Sequence, residues 1–181
     1  MKKLLLIVFS ICFLQALQAQ ELNTKTKRET TFGIKSGFIS SSYTNSVSLN
    51  KPRGVGFYGG LFSETRFNKK WSFQNEVNFT ITEGNIFIEI PLFLKYHIND
   101  KWSVFMGPKM DFLVTDSSRH YFGEGNYKTL GISAEIGVQY NLSEKLFIEG
   151  RYSHSFTNQL EYKKFDTRKR KTLRIGLGFK F

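Results

Sequence analysis

From Phe32 to Phe181 the apolar side chains return at every second position, in stretches of about 9 to 14 residues separated by polar breaks. A period of two puts every apolar group of a stretch on one face of a β-strand. The stretch Trp71, Phe73, Val77, Phe79, Ile81 alternates with Ser72, Gln74, Glu76, Asn78 and Thr80, and only Asn75 breaks the pattern. Leu130, Ile132, Ala134, Ile136, Val138, Tyr140 and Leu142 interleave with Gly131, Ser133, Glu135, Gly137, Gln139 and Asn141 in the same way. Eight such stretches lie at 31–40, 55–67, 70–82, 86–98, 101–115, 129–142, 145–157 and 171–181. With 181 residues and 40% hydrophobic content the chain has room for one folded domain. Phe, Ile, Val, Tyr, Thr and Gly dominate the apolar stretches, which excludes a helical bundle and predicts an all-β fold.

The connections alternate in length. Short turns fall at Asn68-Lys69, Asn99-Asp100 and Ser143-Glu144, whereas 41–54, 83–85, 116–128 and 158–170 join the opposite ends. Eight antiparallel up-and-down strands with tight turns at one rim and mostly long loops at the other have the plan of an outer-membrane barrel.

Alternation alone does not say which face points outward, and a soluble lipocalin-like ligand carrier alternates too. Volume decides. Roughly forty bulky apolar groups would overfill an eight-stranded barrel, whose interior only just accommodates side chains. The other face carries many glycines and nearly balanced charge: Glu64, Glu76, Glu89, Asp111, Glu135 and Glu149 against Lys35, Arg66, Lys95, Lys109, Arg151, Arg174 and Lys180. A sealed lumen needs that balance, because an unpaired buried charge is strongly unfavourable. Strands starting at the short-turn rim begin with Phe32, Trp71 and Trp102, and those ending there finish with Phe67, Tyr96, Tyr140 and Phe179. Such a ring marks the headgroup level of a bilayer. Pro91 falls inside a strand that has two neighbours, which predicts a bulge or local fraying.

Lys2 and Lys3, the apolar run 4–14, and Ala16 and Ala19 ahead of Gln20 read as a secretory signal peptide. The expected organisation is signal peptide 1–19, an N-terminal periplasmic segment 20–30 and a barrel 31–181. Cys12, the one cysteine, leaves with the signal, so no disulfide or thiol chemistry is expected of the mature chain.

The blocks FGIKSGF, GFYGGLFSETRFNKKWSFQNEVNFT, IEIPLFLKYHINDKWSVFMGPKMDFL, LGISAEIGVQYNLSEKLFIEGRYSHSFTN and LRIGLGFKF resemble the PorT-like outer-membrane β-barrel family. Its marks here are Glu89-Ile90-Pro91-Leu92 with Lys95-Tyr96, Gly107-Pro108, and Arg151-Tyr152 ahead of Thr157-Asn158. The resemblance implies an eight-stranded barrel in the outer membrane of a Gram-negative bacterium. Through the family's namesake it also implies a connection with type IX secretion and gliding.

No catalytic, cofactor or metal site is expected. The His-Ser pairing of a lipid A deacylase fails here, since Ser153 and Ser155 flank His154 on the opposite face. Asp116 and His120 are too few for a rim protease. His97, His120 and His154 lack metal-ligand spacing. The sequence therefore predicts a non-enzymatic, non-pore barrel with a structural, adhesion or docking role through its extracellular loops. The competing reading is an enzyme acting on lipid A or surface peptides. The last long loop is strongly basic, and Lys163, Lys164, Arg168, Lys169 and Arg170 form a candidate anion-binding set facing lipopolysaccharide phosphates. Expected partners are outer-membrane lipids and lipopolysaccharide, then other envelope proteins; nucleic acid is not expected, and the barrel is expected to be a monomer.

Overall fold

The computed structural model describes residues 29–44, 53–82, 85–115, 126–127, 130–157, 160–162 and 166–181. The expected signal peptide and residues 20–28 lie outside them, as do Asp116 and His120. Ten strands follow in chain order: β1 Thr30–Thr44, β2 Arg53–Arg66, β3 Trp71–Thr82, β4 Asn85–His97, β5 Trp102–Thr115, β6 Asn126–Tyr127, β7 Leu130–Asn141, β8 Leu146–Ser155, β9 Leu160–Tyr162 and β10 Asp166–Lys180. Eight of them form the barrel in the order β1-β2-β3-β4-β5-β7-β8-β10, every pair antiparallel, and β10 closes on β1 from Gly33↔Lys180 to Thr44↔Lys169. Closure gives each barrel strand two neighbours, the condition for a sheet to cross hydrocarbon without bare backbone polar groups.

One motif builds the three short turns. The N–H groups of Phe67, Ile98 and Leu142 donate to the carbonyls of Trp71, Trp102 and Leu146 at 3.0, 2.9 and 2.8 Å. Asn68 Oδ1 accepts from the N–H groups of Lys70 and Trp71 at 2.8 and 2.9 Å, and Asn99 Oδ1 from those of Lys101 and Trp102 at 2.9 and 2.8 Å. Ser143 Oγ accepts from the Leu146 N–H at 3.0 Å. A short side-chain acceptor that folds back on its own backbone is the reason Asn and Ser stand at these corners.

At the other end the strands run past the apolar pattern. β1 continues to Thr44 and β10 begins at Asp166, although alternation places their ends at residues 40 and 171. Ladder hydrogen bonds do not depend on side-chain polarity, so a strand persists above the bilayer after its outward positions cease to be apolar. Two further strands lie within stretches expected to be loops: β9 pairs with the extension of β10, and β6 pairs with β9.

Pro91 keeps its register. Ile90↔Met110, Pro91↔Lys109 and Leu94↔Met106 share one alignment, and the irregularity of the β4–β5 ladder falls instead between Ile86 and Phe87. On the β3 side the paired residues stop at Asn75↔Leu92 and resume at Asn78↔Glu89, so the fraying expected at the proline is present and the bulge is displaced toward the outer end.

Along β3 the even-numbered residues from Ser72 to Thr82 are buried and the odd-numbered ones are partly or fully exposed. The other strands repeat this arrangement, with Ile34, Phe57, Phe79, Ile136, Ile175 and Leu177 open on the outer wall. Charge lies inside and hydrocarbon outside, the reverse of a soluble ligand carrier.

Candidate functional site

The lumen is filled by buried polar and aromatic side chains. Buried there are Glu64, Glu76, Glu89, Asp111, Glu135 and Glu149 together with Lys35, Lys95, Lys109, Arg151, Arg170 and Arg174, six charges of each sign among the described residues. Equal numbers leave no net charge to be neutralised inside the wall.

Two arginines brace the barrel across its diameter. β3 and β8 stand four strands apart around the ring of eight, as do β4 and β10. From β8, Arg151 reaches Glu76 of β3 with a two-pronged contact, Nη1 to Oε2 and Nη2 to Oε1, both 2.8 Å. The same guanidinium donates to Glu135 at 3.1 Å and Glu149 at 2.6 Å. Lys35 of β1 pairs with Glu76, and the Tyr58 hydroxyl donates to Glu149 at 3.0 Å. A planar fork of donors is suited to bridging several carboxylates at once.

The second brace sits nearer the outer end. Arg174 of β10 donates to Glu89 of β4, Arg170 adds a bond to Glu89 at 3.3 Å, and the Thr80 hydroxyl donates to it at 3.0 Å. Lys109 lies 3.2 Å from Asp111, 3.3 Å from Glu135 and 3.6 Å from Glu89, linking the two braces. Near the short-turn rim Lys95 donates to Glu64, Gln74 and Gln139 at 2.8, 2.9 and 2.7 Å. His97 is held between Ser72 on Nε2 and Ser103 on Nδ1, both 2.9 Å, with Glu64 at 3.1 Å.

Aromatic rings fill the space between these ions. The Arg151 guanidinium lies 5.0 Å from the Phe93 ring and 4.8 Å from Phe105, Arg170 lies 4.0 Å from Phe87, and Arg174 lies 5.3 Å from Tyr58. Phe62 meets Phe147 edge to face at 5.6 Å. A cation over a ring face is stabilised electrostatically, more so where water is excluded. Three of these rings lie across glycines on the adjacent strand: Phe62 over Gly33, Phe105 over Gly137 and Phe147 over Gly178. The lumen glycines thus make room for rings, not only for polar groups as the sequence suggested.

Of the residues expected in the charge network, Glu64, Glu76, Glu89, Lys95, Lys109, Asp111, Glu135, Glu149, Arg151 and Arg174 are buried in the lumen. Arg66 is not, and lies exposed at the short-turn rim where β2 ends. Arg170, expected in the outer loop, is 3% exposed on β10 and faces Glu89, because the strand begins before it and its parity matches Arg174. Lys163, Lys164 and the side chain of Arg168 lie outside the described residues, and Lys169 is exposed. The lumen aromatics were hidden by their residue type, although parity could have found them: Tyr58 shares a face with Gly56 and Gly60, and Phe147 with Glu149 and Arg151.

On the outer wall Trp71 packs against Tyr96 with ring centroids 4.9 Å apart and Trp102 against Tyr140 at 4.7 Å, both pairs tilted, at the short-turn end. Phe179 lies 6.0 Å from Phe181, and Phe32 and Phe67 are exposed in the same rim. His154 points outward, whereas Ser153 and Ser155 are buried in the lumen. Among the described residues no group of three or more His, Cys, Asp or Glu is placed to hold a metal ion.

Known proteins agree with this architecture. Ail, the attachment invasion locus protein of Yersinia pestis solved with the heparin analogue sucrose octasulfate, superposes with a TM-score of 0.53 at 18% identity, covering 84% of this chain and 99% of Ail. Neisserial surface protein A superposes at 0.50 with 11% identity, covering 84% of this chain and 99% of that protein. Such distant likeness speaks for the fold alone. Among curated proteins none matches this sequence. The family model described as outer membrane protein beta-barrel domain matches residues 4–181. The chain is therefore a small eight-stranded barrel of the outer membrane and belongs to the outer membrane protein β-barrel domain family.

Proposed function

We propose that the protein is a non-conducting, non-enzymatic anchor whose rigid barrel presents its outer loops for a structural, adhesion or docking role in the cell envelope. The observation that carries this reading is the braced lumen. Two ion clusters span the barrel and aromatic rings lie between them, and a lumen so occupied by side chains supports a barrel that does not conduct solutes. Planar-bilayer recording of the refolded protein tests it: the expected result is no stable conductance above baseline, and large steady channel steps would overturn it.

The non-enzymatic part rests on accessibility. Among the described residues the nearest approach to a Ser-His-carboxylate set joins Ser72 and Ser103 to His97 and Glu64, and both serine side chains are fully buried. A nucleophile needs a substrate within reach. Lipid A mass spectrometry with and without the protein should show identical acylation and phosphorylation.

Docking to a secretion apparatus is the finer form of the proposal, supported by the resemblance to the PorT-like family. The basic run of Lys163, Lys164 and Arg168 suits an anionic surface partner. Cross-linking in intact cells followed by pull-down should recover a defined envelope partner, and recovery of the barrel alone would remove the docking role.

A further inference from the structure

The outer wall changes character along one seam. Across β8, β10 and β1 the outward rows read, from mid-height upward, Gly150–Ile175–Phe38, Tyr152–Leu173–Ser40 and His154–Lys171–Ser42. Apolar contact gives way to hydroxyls and then to a cation within two rows, and the exposed Lys169 follows one row higher on β10. Ser40, Ser42, Tyr152, Lys171, Thr172 and Leu173 line a hollow of about 230 Å³. Neither lysine has an ion-pair partner among the described residues.

Height identifies the surroundings. Lys171 is eight residues from Phe179 of the aromatic rim. At about 3.3 Å per residue that is about 26 Å along the strand, or about 20 Å in height for a strand tilted by about 40°. An apolar band is about 25 Å tall, so the Lys171 backbone lies about 5 Å below its outer edge, within a lysine side chain's reach of the outer-leaflet headgroups. A lysine there extends its ammonium toward the headgroups while its stem stays on the apolar wall.

We propose that this seam binds the phosphorylated sugar headgroup of an outer-leaflet glycolipid of the lipid A type. Lys171 and Lys169 hold the phosphate, the hydroxyls of Ser40, Ser42 and Tyr152 bond the sugar, and the acyl chains lie along Leu173, Ile175 and Phe38. A hollow with hydroxyls on both flanks of a cation fits a phosphorylated sugar ring better than the bare phosphodiester of a glycerophospholipid. The proposal rests on the outer-membrane placement but not on the sealed lumen, so a channel recording that sank the anchor reading would leave it standing.

Native mass spectrometry of the refolded full-length mature protein, offered bis-phosphorylated lipid A, dephosphorylated lipid A or phosphatidylglycerol, tests it. The expected order is strong retention of the first and weak retention of the other two. In Lys169→Gln/Lys171→Gln, retention of bis-phosphorylated lipid A should fall roughly thirtyfold, as expected for two surface lysines each worth about 1 kcal/mol at an anionic membrane. Tyr152→Leu should weaken it by a smaller factor without altering the heat-modified band shift of the folded barrel. Lys101→Gln/Lys145→Gln at the opposite rim should change nothing. Retention unaffected by the Lys169/Lys171 pair, equal retention of phosphatidylglycerol, or an equal loss in Lys101→Gln/Lys145→Gln would each overturn the proposal.

Discussion

Arg151 and Ile175 occupy neighbouring strands at adjacent levels, yet Arg151 is sealed among three carboxylates and two phenylalanines while Ile175 is 58% exposed on the outer wall. The inward face is built from individual partners: each ion has named counterparts, and each ring a place beside a cation or a glycine. The outward face needs only the right class of side chain at the right height, because lipid tails make no demand on which apolar residue they meet. Substitutions should therefore act through identity on the inside and through polarity on the outside.

The largest effect should come from cutting the central brace. Arg151→Met leaves Glu76, Glu135 and Glu149 short of cationic partners in a closed space, and breaking a buried ion cluster from one side costs about 3–5 kcal/mol. Urea unfolding in lipid vesicles should register that loss, and a change under 1 kcal/mol would mean that water already fills the lumen. On the other face, Ile175→Arg at mid-band should cost about 2–4 kcal/mol in the same assay, whereas Ile175→Leu should be nearly silent.

Glycine sharpens the contrast. A methyl group on Gly137 would meet the Phe105 ring and neighbouring backbone, whereas one on the outward Gly59 would make only ordinary contact. Gly137→Ala should destabilise by about 1–3 kcal/mol and be partly rescued by Phe105→Leu, while Gly59→Ala should stay within about 0.5 kcal/mol of the parent. The smallest expected effect is at the rim, where a double-mutant cycle on Trp71 and Tyr96 should give a coupling of about 0.5–1.5 kcal/mol.

Much of the outward face was legible in the sequence, since alternation, the Asn68 and Asn99 corners and the aromatic rim are all patterns of residue class. The inward face was legible only in part. Charge type marked Glu76, Glu89, Arg151 and Arg174 as lumen residues, but which carboxylate meets which arginine depends on strands that are opposed across the ring and far apart in sequence. Phe93 and Phe105 were missed because a hydrophobicity count assigns a phenylalanine to lipid unless its neighbours' parity is consulted. Arg66 lies outside the lumen and Arg170 inside it, contrary to expectation, because both stand near strand ends, where alternation is a poor guide to burial. The β6 and β9 pairings lie in polar sequence and carry no periodic signal.

The orientation of the two faces is tested most directly by single nitroxide labels on cysteines introduced at Phe38, Ile132 and Leu177, set against labels at Ser133 and Gln139, with the protein in lipid bilayers. Collision with dissolved oxygen should be frequent at the first three and rare at the last two, and a water-soluble nickel chelate should reach none of the five. Labels at Phe38, Ile132 and Leu177 that met the chelate more often than oxygen would show a wall facing water, contradicting the account.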